Sequence, residues 1–433
     1  MPGASCVGVE MSSWAERVTY PELKRVLNHP ASRSVALSTA LSALQGLTAL
    51  VTAKWLGPTD RGVVVLAWSI SSLLLLVGSL GMTSSARVVV SDARYQTDFR
   101  RFSLLSAKLV LLAGLPVALF GVLALWFVSH MDSPRIYGIF ALYCCVMLFG
   151  ALTRETLHGI GRHVAAISTD LVAAAVQFAG AAVLQVVGLL NVESFISMGL
   201  AGAASQVALG LWSGHRGSLP RPNQNGTFTL RSLLWFSAPA IGLQLGLWVA
   251  WRGDRLILGV VSGPTEVGIY ATASTMADIP WLIAAGVSAV LTNRVSASQD
   301  YSLVQRYRRL TFIATAAASL VITPIAAWIL ICYLGGEFRR GLPALLILAP
   351  AALLLASTQI DLAGCTAVSD LKAGARIGLQ GAVVLVLTAF PLSYFFGSTG
   401  CAIASACAYA AMSVAARRAW NRHAHHDPSR VVT

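Results

Sequence analysis

The stretch GPTDRG at residues 57–62 returns as GPTEVG at residues 263–268, and both copies stand between long apolar runs. Glycine next to proline favours a tight turn, because proline fixes its own backbone and glycine adopts conformations closed to other residues. The same turn repeated half a chain apart suggests that the chain consists of two halves with one design.

Three further sequence pairs lie at nearly the same spacing as the two turns. SSARVVVS at 84–91 matches LTNRVSAS at 291–298, DFRRFS at 98–103 matches RYRRLT at 306–311, and Gly159 matches Gly364. Each pair alone is weak, since glycine and arginine are common at the ends of apolar segments. The offset that all these pairs share is the evidence for an internal repeat. If each half has an even number of helices, the two halves are related by an axis along the membrane normal.

Composition identifies the solvent of this chain as lipid. Of its 433 residues 56% are hydrophobic and 11% are charged, with a mean hydropathy of +0.70. A water-soluble protein of this size would need more charge on its surface. The net charge is +13, but the basic residues occupy short gaps between apolar runs, so they indicate membrane topology rather than nucleic-acid binding.

Apolar runs long enough to cross a bilayer predict an all-α polytopic membrane protein of twelve transmembrane helices in two six-helix lobes. The predicted spans are 33–56, 62–83, 103–128, 135–153, 164–188, 194–213, 232–261, 267–292, 310–333, 341–360, 373–396 and 399–416. The predicted parts are an N-terminal segment (1–30), an N-lobe (31–213), a linker (214–231), a C-lobe (232–420) and a tail (421–433).

Basic residues predict the orientation of these helices. With both termini in the cytoplasm, most lysines and arginines fall in cytoplasmic segments, as the positive-inside rule requires. Lys54, Arg61 and Arg135 are among the few on the opposite side. Lys108 and Asp170 lie near cytoplasmic helix ends and are expected to extend towards the interface.

No catalytic or metal-binding motif stands out. The chain has no GxxxxGK[ST] nucleotide loop and no HExxH, and its seven cysteines show no CxxC spacing. We therefore expect a protein that is not an enzyme and needs no cofactor or metal, with the cysteines acting mainly as small buried hydrophobes.

The segment WVAWRGDRLILGVV at 248–261 places charges among apolar residues. Its helix either ends near Trp251, leaving the charges at the outer surface, or continues to Val261, as the repeat requires. In the second case Arg252 lies about 15 Å below the turn, at ~1.5 Å per residue. We favour the second interpretation, because LILGVV is otherwise hard to place, and a charge at that depth needs water or a partner.

Spacing around the turn names partners for these charges. Arg252 and Asp278 lie equally far from Thr265, so a hairpin would bring them to one depth as an ion pair. One helix face carries Gln244, Trp248, Trp251 and Arg255. This face could bind cargo, with flat indoles for a sugar ring, an amide, and a guanidinium for phosphate. Alternatively, it packs against lipid or another helix. Asp254 points elsewhere and is expected to hold another helix.

The first helix carries a polar stripe of its own, formed by Ser34, Ser38, Ser42, Gln45 and Thr52. Small polar residues at this spacing either pack helices together in the membrane or line a wet cavity. Gln45 is the candidate site residue of this stripe. The first-half counterpart of the arginine cluster, GLTA at 46–49, is uncharged, so an anion site is expected mainly on the second half.

Five stretches of the chain are typical of one family: KWLGPTDRG at 54–62, DRLILG at 254–259, VGIYATAS at 267–274, LGGEF at 334–338 and GSTGCAIASACAYA at 397–410. In these stretches the chain resembles the Wzx-like polysaccharide and oligosaccharide-lipid flippases of the multidrug/oligosaccharidyl-lipid/polysaccharide exporter (MOP) superfamily. The resemblance implies a V-shaped bundle with alternating access to a central cavity, which fits the twelve predicted helices.

The resemblance also implies a cargo and a location. The cargo is a sugar or oligosaccharide on a polyprenyl diphosphate, and the location is a bacterial cytoplasmic membrane, with membrane lipids and pathway glycosyltransferases or a polymerase as partners. Two alternatives stay open. A cation-coupled multidrug exporter would need acidic residues in the first lobe, and the first two helices have none. A membrane protein that binds lipid or acts as a scaffold without transport is the other.

Overall fold

The computed structural model describes residues 30–91, 99–129, 133–216, 230–298, 300–368 and 370–426, and their regular structure is entirely helical. The predicted N-terminal segment, the linker and the tail lie largely outside these ranges. The α-helices are α1 (Pro30–Gly78), α2 (Met82–Ser91), α3 (Phe99–Leu109), α4 (Leu115–Ser129), α5 (Pro134–Gly159), α6 (His163–Val187), α7 (Val192–His215), α8 (Leu230–Ala277), α9 (Trp281–Ser298), α10 (Ser302–Trp328), α11 (Leu342–Ala367) and α12 (Leu371–His426).

Short irregular segments connect some of these helices. A π-helical stretch, Val110–Gly114, joins α3 to α4, so these form one continuous rod. A second π-helical stretch, Ile329–Leu334, and a 3₁₀ helix, Gly336–Gly341, lie between α10 and α11.

The fold is that of a multi-pass membrane protein, as predicted. In the described ranges, nine helices are long and apolar enough to cross a membrane. Large apolar side chains are strongly exposed on several of them, including Leu111 at 78% and Leu320 at 77%. Such a surface is stable when it faces lipid tails.

Three of the long helices are interrupted by one glycine each. Gly57 has φ 74° and ψ 176°, Gly263 has φ 83° and ψ 175°, and Gly397 has φ 55°. A side chain is disfavoured at these positive φ angles, which is why glycine occupies each break. Divided at these points, the helices are consistent with the twelve predicted spans, although the exact number of spans stays a prediction.

At each interrupting glycine the chain folds back on itself. Arg252 and Asp278 flank Gly263 and approach within 4.0 Å, whereas 26 residues of straight helix would separate them by about 39 Å. Asp370 and His423 flank Gly397 and approach within 2.8 Å. Around Gly57, Ala53 and Leu66 pack in one hydrophobic cluster. We call the end of the bundle with these glycines the turn end, and the opposite end the terminal end.

The two repeated turns contact each other at the turn end. The hydroxyls of Thr59 and Thr265, 206 residues apart, lie at 2.8 Å. A Cβ on Gly62 would overlap the carbonyl oxygen of Pro264, and a Cβ on Gly268 would overlap that of Pro58. The two contacts are therefore equivalent, because the glycine of each turn packs on the proline of the other. A local two-fold axis produces this relation. Two-fold symmetry over the whole chain remains a prediction.

The two halves also meet away from the turns. At the terminal end, a Cβ on Gly81 would overlap the backbone carbonyl of Ser237, so α8 lies directly against the junction of α1 and α2. Between the two ends, the indole of Trp248 donates to the hydroxyl of Ser72 at 3.2 Å. The predicted halves thus touch at both ends and also between them.

Candidate functional site

A cavity of about 580 Å³ lies where the two halves face each other. Residues of α1, α5, α6 and α7 line it from the first half, and residues of α8 line it from the second. Its volume is in the range of ordinary ligand pockets. The polar lining residues are Gln45, Thr48, Arg61, Trp68, Tyr143, Arg154, Asp170, Gln177, Gln206, Arg252, Arg255 and Thr275.

Arg61 lines this cavity, a role that the sequence did not assign to it. It is only 5% exposed, and its guanidinium carbon lies 5.9 Å from the ring of Trp68. Its Nε atom is buried and has no hydrogen-bond partner among the described residues. A buried guanidinium nitrogen without a partner is costly, so this position suits a ligand that supplies the missing acceptor.

Arg255 reaches the same cavity from the second half. One terminal nitrogen, Nη2, donates to the hydroxyl of Ser274 at 3.1 Å. Its Nε is buried and, like that of Arg61, lacks a partner among the described residues. The helix continues past Arg255 to Gly263 before it breaks, so the second of the two interpretations of residues 248–261 is confirmed.

Arg252 pairs with Asp278, as the spacing predicted, at a nitrogen–oxygen distance of 4.0 Å. The contact is long, and both side chains are partly exposed, at 44% and 32%. Such a pair contributes little stability, so Arg252 can accept another anion without losing a strong partner.

A chain of charges leads from the cavity towards the terminal end. Arg154 contacts Asp170 at 3.3 Å and Glu155 at 3.1 Å, and Arg87 also binds Glu155. The amide of Gln206 donates to Asp170 as well. Asp170 is thus not a side chain extended towards the interface, as the sequence suggested, but a cavity-lining carboxylate held by two donors.

Several predicted site residues lie outside the cavity. Asp254 is buried and accepts hydrogen bonds from Tyr270 and, at 3.1 Å, from Ser405, so it joins helices as expected. The indole of Trp251 packs edge-on against Trp281, at 6.1 Å between ring centroids. Trp248, Trp251 and Gln244 are not among the lining residues, so Arg255 alone of its predicted face reaches the cavity.

The arginines of the cavity come equally from both halves, whereas an anion site was expected mainly on the second half. Arg61 and Arg154 come from the first, and Arg252 and Arg255 from the second. Among the described lining residues, Asp170 is the one carboxylate, and Arg154 already binds it. The cavity therefore has a surplus of guanidinium groups, which suits a ligand with several negative charges.

Solved structures with the same overall shape show which fold the chain has. A lipid II flippase, MurJ, in an inward closed conformation matches with a TM-score of 0.70 and 12% identity, covering 88% of this chain and 86% of that one. A multidrug resistance MATE family transporter of the MOP superfamily, inward-facing, gives 0.64 and 15%, covering 92% and 98%.

A third solved structure is a MOP superfamily transporter from Pyrococcus furiosus, described by a binding pocket of reverse polarity. It gives a TM-score of 0.58 and 14% identity, covering 96% of this chain and 100% of that one. The chain thus has the fold of the MOP superfamily, as the resemblance implied.

Residues 51–334 match the model of a family described as polysaccharide biosynthesis proteins. The chain belongs to that family. No curated protein sequence matches it.

Proposed function

We propose that this protein moves a sugar or oligosaccharide carried on a polyprenyl diphosphate across the bacterial cytoplasmic membrane, as a step in the assembly of surface polysaccharide. It does so by alternating access, in which two lobes expose a central cavity to one side of the membrane and then to the other. Both termini lie in the cytoplasm, and pathway glycosyltransferases or a polymerase are its partners.

The observation that supports this proposal most is a pair of guanidiniums, Arg61 and Arg255, whose buried Nε atoms lack a partner among the described residues. They face one cavity from opposite halves, together with Arg252. A diphosphate offers several oxygens on two adjacent groups, so arginines on both halves can bind it at once. Anionic cargo would then hold the halves together, and release would let them separate.

The contacts between the halves support a closed stage of such a cycle. The GPT turns meet at the turn end, and Gly81 meets Ser237 at the terminal end, so the halves are in contact above and below the cavity. Both contacts are made by backbone and small side chains. Apolar side chains of the two halves also pack together at each end, Leu66 with Leu258 at the turn end and Leu234 against the cluster of Met82 at the terminal end. Opening either gate would therefore separate part of a hydrophobic cluster as well as these small contacts.

Transport in reconstituted vesicles tests the proposal. The purified protein is placed in vesicles with a fluorescent polyprenyl-diphosphate sugar, and movement is followed by protection from a quencher that cannot cross the membrane. We expect Arg255→Gln and Arg252→Gln to slow movement, with the larger loss at Arg255, whose Nε atom is buried and lacks a partner among the described residues. Loss of a charge-assisted hydrogen bond costs about 1.5–3 kcal/mol, which corresponds to a loss of roughly 10- to 150-fold.

Arg135→Gln is the matched control, because it removes the same charge from an exposed position that does not line the cavity. It is expected to transport at the wild-type rate. If Arg255→Gln also transports at that rate while wild-type protein is active, the diphosphate does not use this site.

A cation-coupled multidrug exporter is the second candidate, and the position of Asp170 is the observation that favours it. Asp170 lies in the cavity wall of the first half, where an exporter of that kind would need an acid. Its bonds with Arg154 and Gln206 compete with a cationic drug. In the same vesicles, uptake of a cationic dye that Asp170→Asn abolishes would favour the exporter over the flippase.

A further inference from the structure

A second and larger cavity lies away from the interface between the halves, in the groove between the two limbs of α12. Its volume is about 900 Å³, and none of its lining residues lines the central cavity. The first limb runs from Leu371 to the break at Gly397, and the second continues from there to His426. Both limbs belong to a helix that is apolar enough to cross the membrane.

The walls of this groove are apolar over most of their length. Val383 and Val384 line it from the first limb, and Ala410, Ala411 and Val414 from the second. Val383 and Val414 are exposed, so within a membrane they face hydrocarbon. The alanines leave the space between the limbs unfilled, and an acyl chain is the material available to occupy an apolar groove at this depth.

The end of the groove nearest the terminal end is cationic. Arg376 lines it from the first limb, and Arg418 and Arg422 line it from the second. Arg376 and Arg418 are equally far along the chain from Gly397, so folding back brings them to the same depth. Arg418 and Arg422 are four residues apart and therefore share one helix face.

These three arginines are available for a ligand. Among the described residues, none of the three has an ion pair or a hydrogen bond, and all are exposed. The one carboxylate that lines the groove in the described part of the chain is Asp370, which already accepts a hydrogen bond from His423 at 2.8 Å. Within the described residues, the cationic end of the groove thus keeps a surplus of positive charge, three arginines against one carboxylate.

We propose that this groove binds one anionic phospholipid of the surrounding membrane, with its headgroup phosphate on Arg376, Arg418 and Arg422 and one acyl chain along the apolar walls. From the membrane interface inward, the groove is lined first by charged and then by apolar side chains. A phospholipid has the same sequence of parts, a charged headgroup followed by hydrocarbon. Because the bound lipid spans both limbs, it supports the α12 hairpin. This inference does not rest on the proposed transport activity.

Native mass spectrometry of the purified full-length protein tests the proposal. The protein in detergent is titrated with phosphatidylglycerol or with phosphatidylcholine of the same chain length. We expect wild-type protein to retain phosphatidylglycerol and to lose phosphatidylcholine at low collision energy. Equal retention of the two lipids would overturn the proposal.

The triple variant Arg376→Gln/Arg418→Gln/Arg422→Gln removes the cationic end without touching the packed core. An arginine near an anionic lipid surface contributes about fivefold in affinity, so three contribute on the order of 100-fold. The matched control Arg100→Gln/Arg306→Gln/Arg309→Gln removes the same charge from exposed positions outside the groove. Equal loss in both variants would show attraction to net charge only and would overturn the proposal.

Ala411→Trp provides a separate variant that keeps every charge and fills the groove. We expect it to reduce retention of phosphatidylglycerol towards the level of phosphatidylcholine, and unchanged retention would contradict a lipid between the limbs. Polyprenyl phosphate is the last probe. If it binds the wild-type groove and phosphatidylglycerol does not, the groove serves the cargo lipid, and our assignment to a membrane phospholipid is wrong.

Discussion

The two copies of the GPT turn have the same backbone and different side-chain roles. Gly57 and Gly263 break their helices at nearly identical angles, and Thr59 contacts Thr265. Yet the fifth residue of the first copy is Arg61, which lines the cavity, while the fifth residue of the second is Val267, fully buried in a hydrophobic core.

The acidic residues of the two turns differ as well. Glu266 binds Arg340 at 2.5 Å and accepts the backbone N–H of Ser398 at 2.9 Å, so it ties three parts of the turn end together. Asp60 makes no such bond among the described residues. Glycine, proline and threonine thus define the repeated backbone, while the fourth and fifth positions give each copy its own role.

Exchanging the fifth residues should separate function from stability most sharply. Arg61→Val places the second copy's residue in the first, and we expect transport in vesicles to fall by roughly 10- to 150-fold, from the loss of about 1.5–3 kcal/mol of binding to the diphosphate. The midpoint of thermal unfolding should stay unchanged or rise, because the variant removes a buried charge with an unsatisfied nitrogen.

The reverse exchange, Val267→Arg, should do the opposite. It places a charge where the side chain is fully buried among apolar neighbours, so the unfolding midpoint should drop strongly. Too little folded protein should then remain for a transport measurement. Arg61→Lys keeps the charge and is expected to keep part of the activity. A fall in stability for Arg61→Val would mean that Arg61 holds the fold and not the cargo.

Alanine at the two turn glycines should show whether the contact between the copies is reciprocal. In Gly62→Ala and Gly268→Ala the new Cβ meets the proline carbonyl of the other turn, and overpacking of this kind costs about 1–3 kcal/mol. We expect the two variants to lower the unfolding midpoint by similar amounts. The double variant should cost less than their sum, because either substitution alone separates the turns.

Gly138→Ala and Gly286→Ala are the matched controls, one in each half, since a Cβ at either position has open space. Both lie within helices, where alanine is favoured over glycine by up to about 1 kcal/mol, so neither should destabilise. If alanine were tolerated at Gly268 but not at Gly62, the reciprocal contact would not describe the protein in solution.

The acidic positions should give a smaller difference. Glu266→Gln weakens the contact with Arg340, which is 63% exposed, so we expect a loss of about 1 kcal/mol in thermal or denaturant unfolding. Asp60→Asn should change little. In a double-mutant cycle Glu266→Gln and Arg340→Gln should couple, and additive effects would show that the pair does not form.

Much of this fold could be predicted from residue patterns because the membrane imposes them. Apolar length marks each span, and the Gly-Pro pairs mark two of the three breaks. The pairing of Arg252 with Asp278 also followed from the sequence, since equal distance from a turn gives equal depth in a hairpin. These are local relations within one helix or one hairpin, and the sequence states them directly.

The cavity was harder to predict because it depends on contacts between distant segments. Arg61 lies four residues after a turn, where a single helix would place it at the membrane surface. It is buried because α8 covers α1 at the repeated turns, which places Gly268 against Pro58. Asp170 was likewise assigned to a helix end, since nothing local shows that α5, α6 and α7 converge there. One usable signal in the sequence was that Arg61 stands where the other copy of the turn has Val267.

The smallest difference concerns how each half closes its last hairpin at the terminal end. In the first half Arg162 donates to the backbone carbonyl of Ser213, across α6 and α7. In the second, His423 binds Asp370 across the limbs of α12, and this hydrogen bond lowers the pKa of Asp370 below its usual value. Of these two contacts, only the second depends on a carboxylate that titrates.

The stability from Asp370 should therefore depend on pH, whereas that from Arg162 should not. A carboxylate with a lowered pKa in the folded state stabilises above its unfolded value, and that contribution is lost as the pH falls through the folded value. An exposed pair contributes about 0.2–1 kcal/mol. Asp370→Asn should lower the unfolding midpoint slightly at pH 7 and less at a pH below the ordinary pKa of an aspartate, while Arg162→Gln should lower it equally at both. An equal effect of Asp370→Asn at both pH values would mean that its carboxylate charge stabilises neither the hairpin nor the lipid groove beside it.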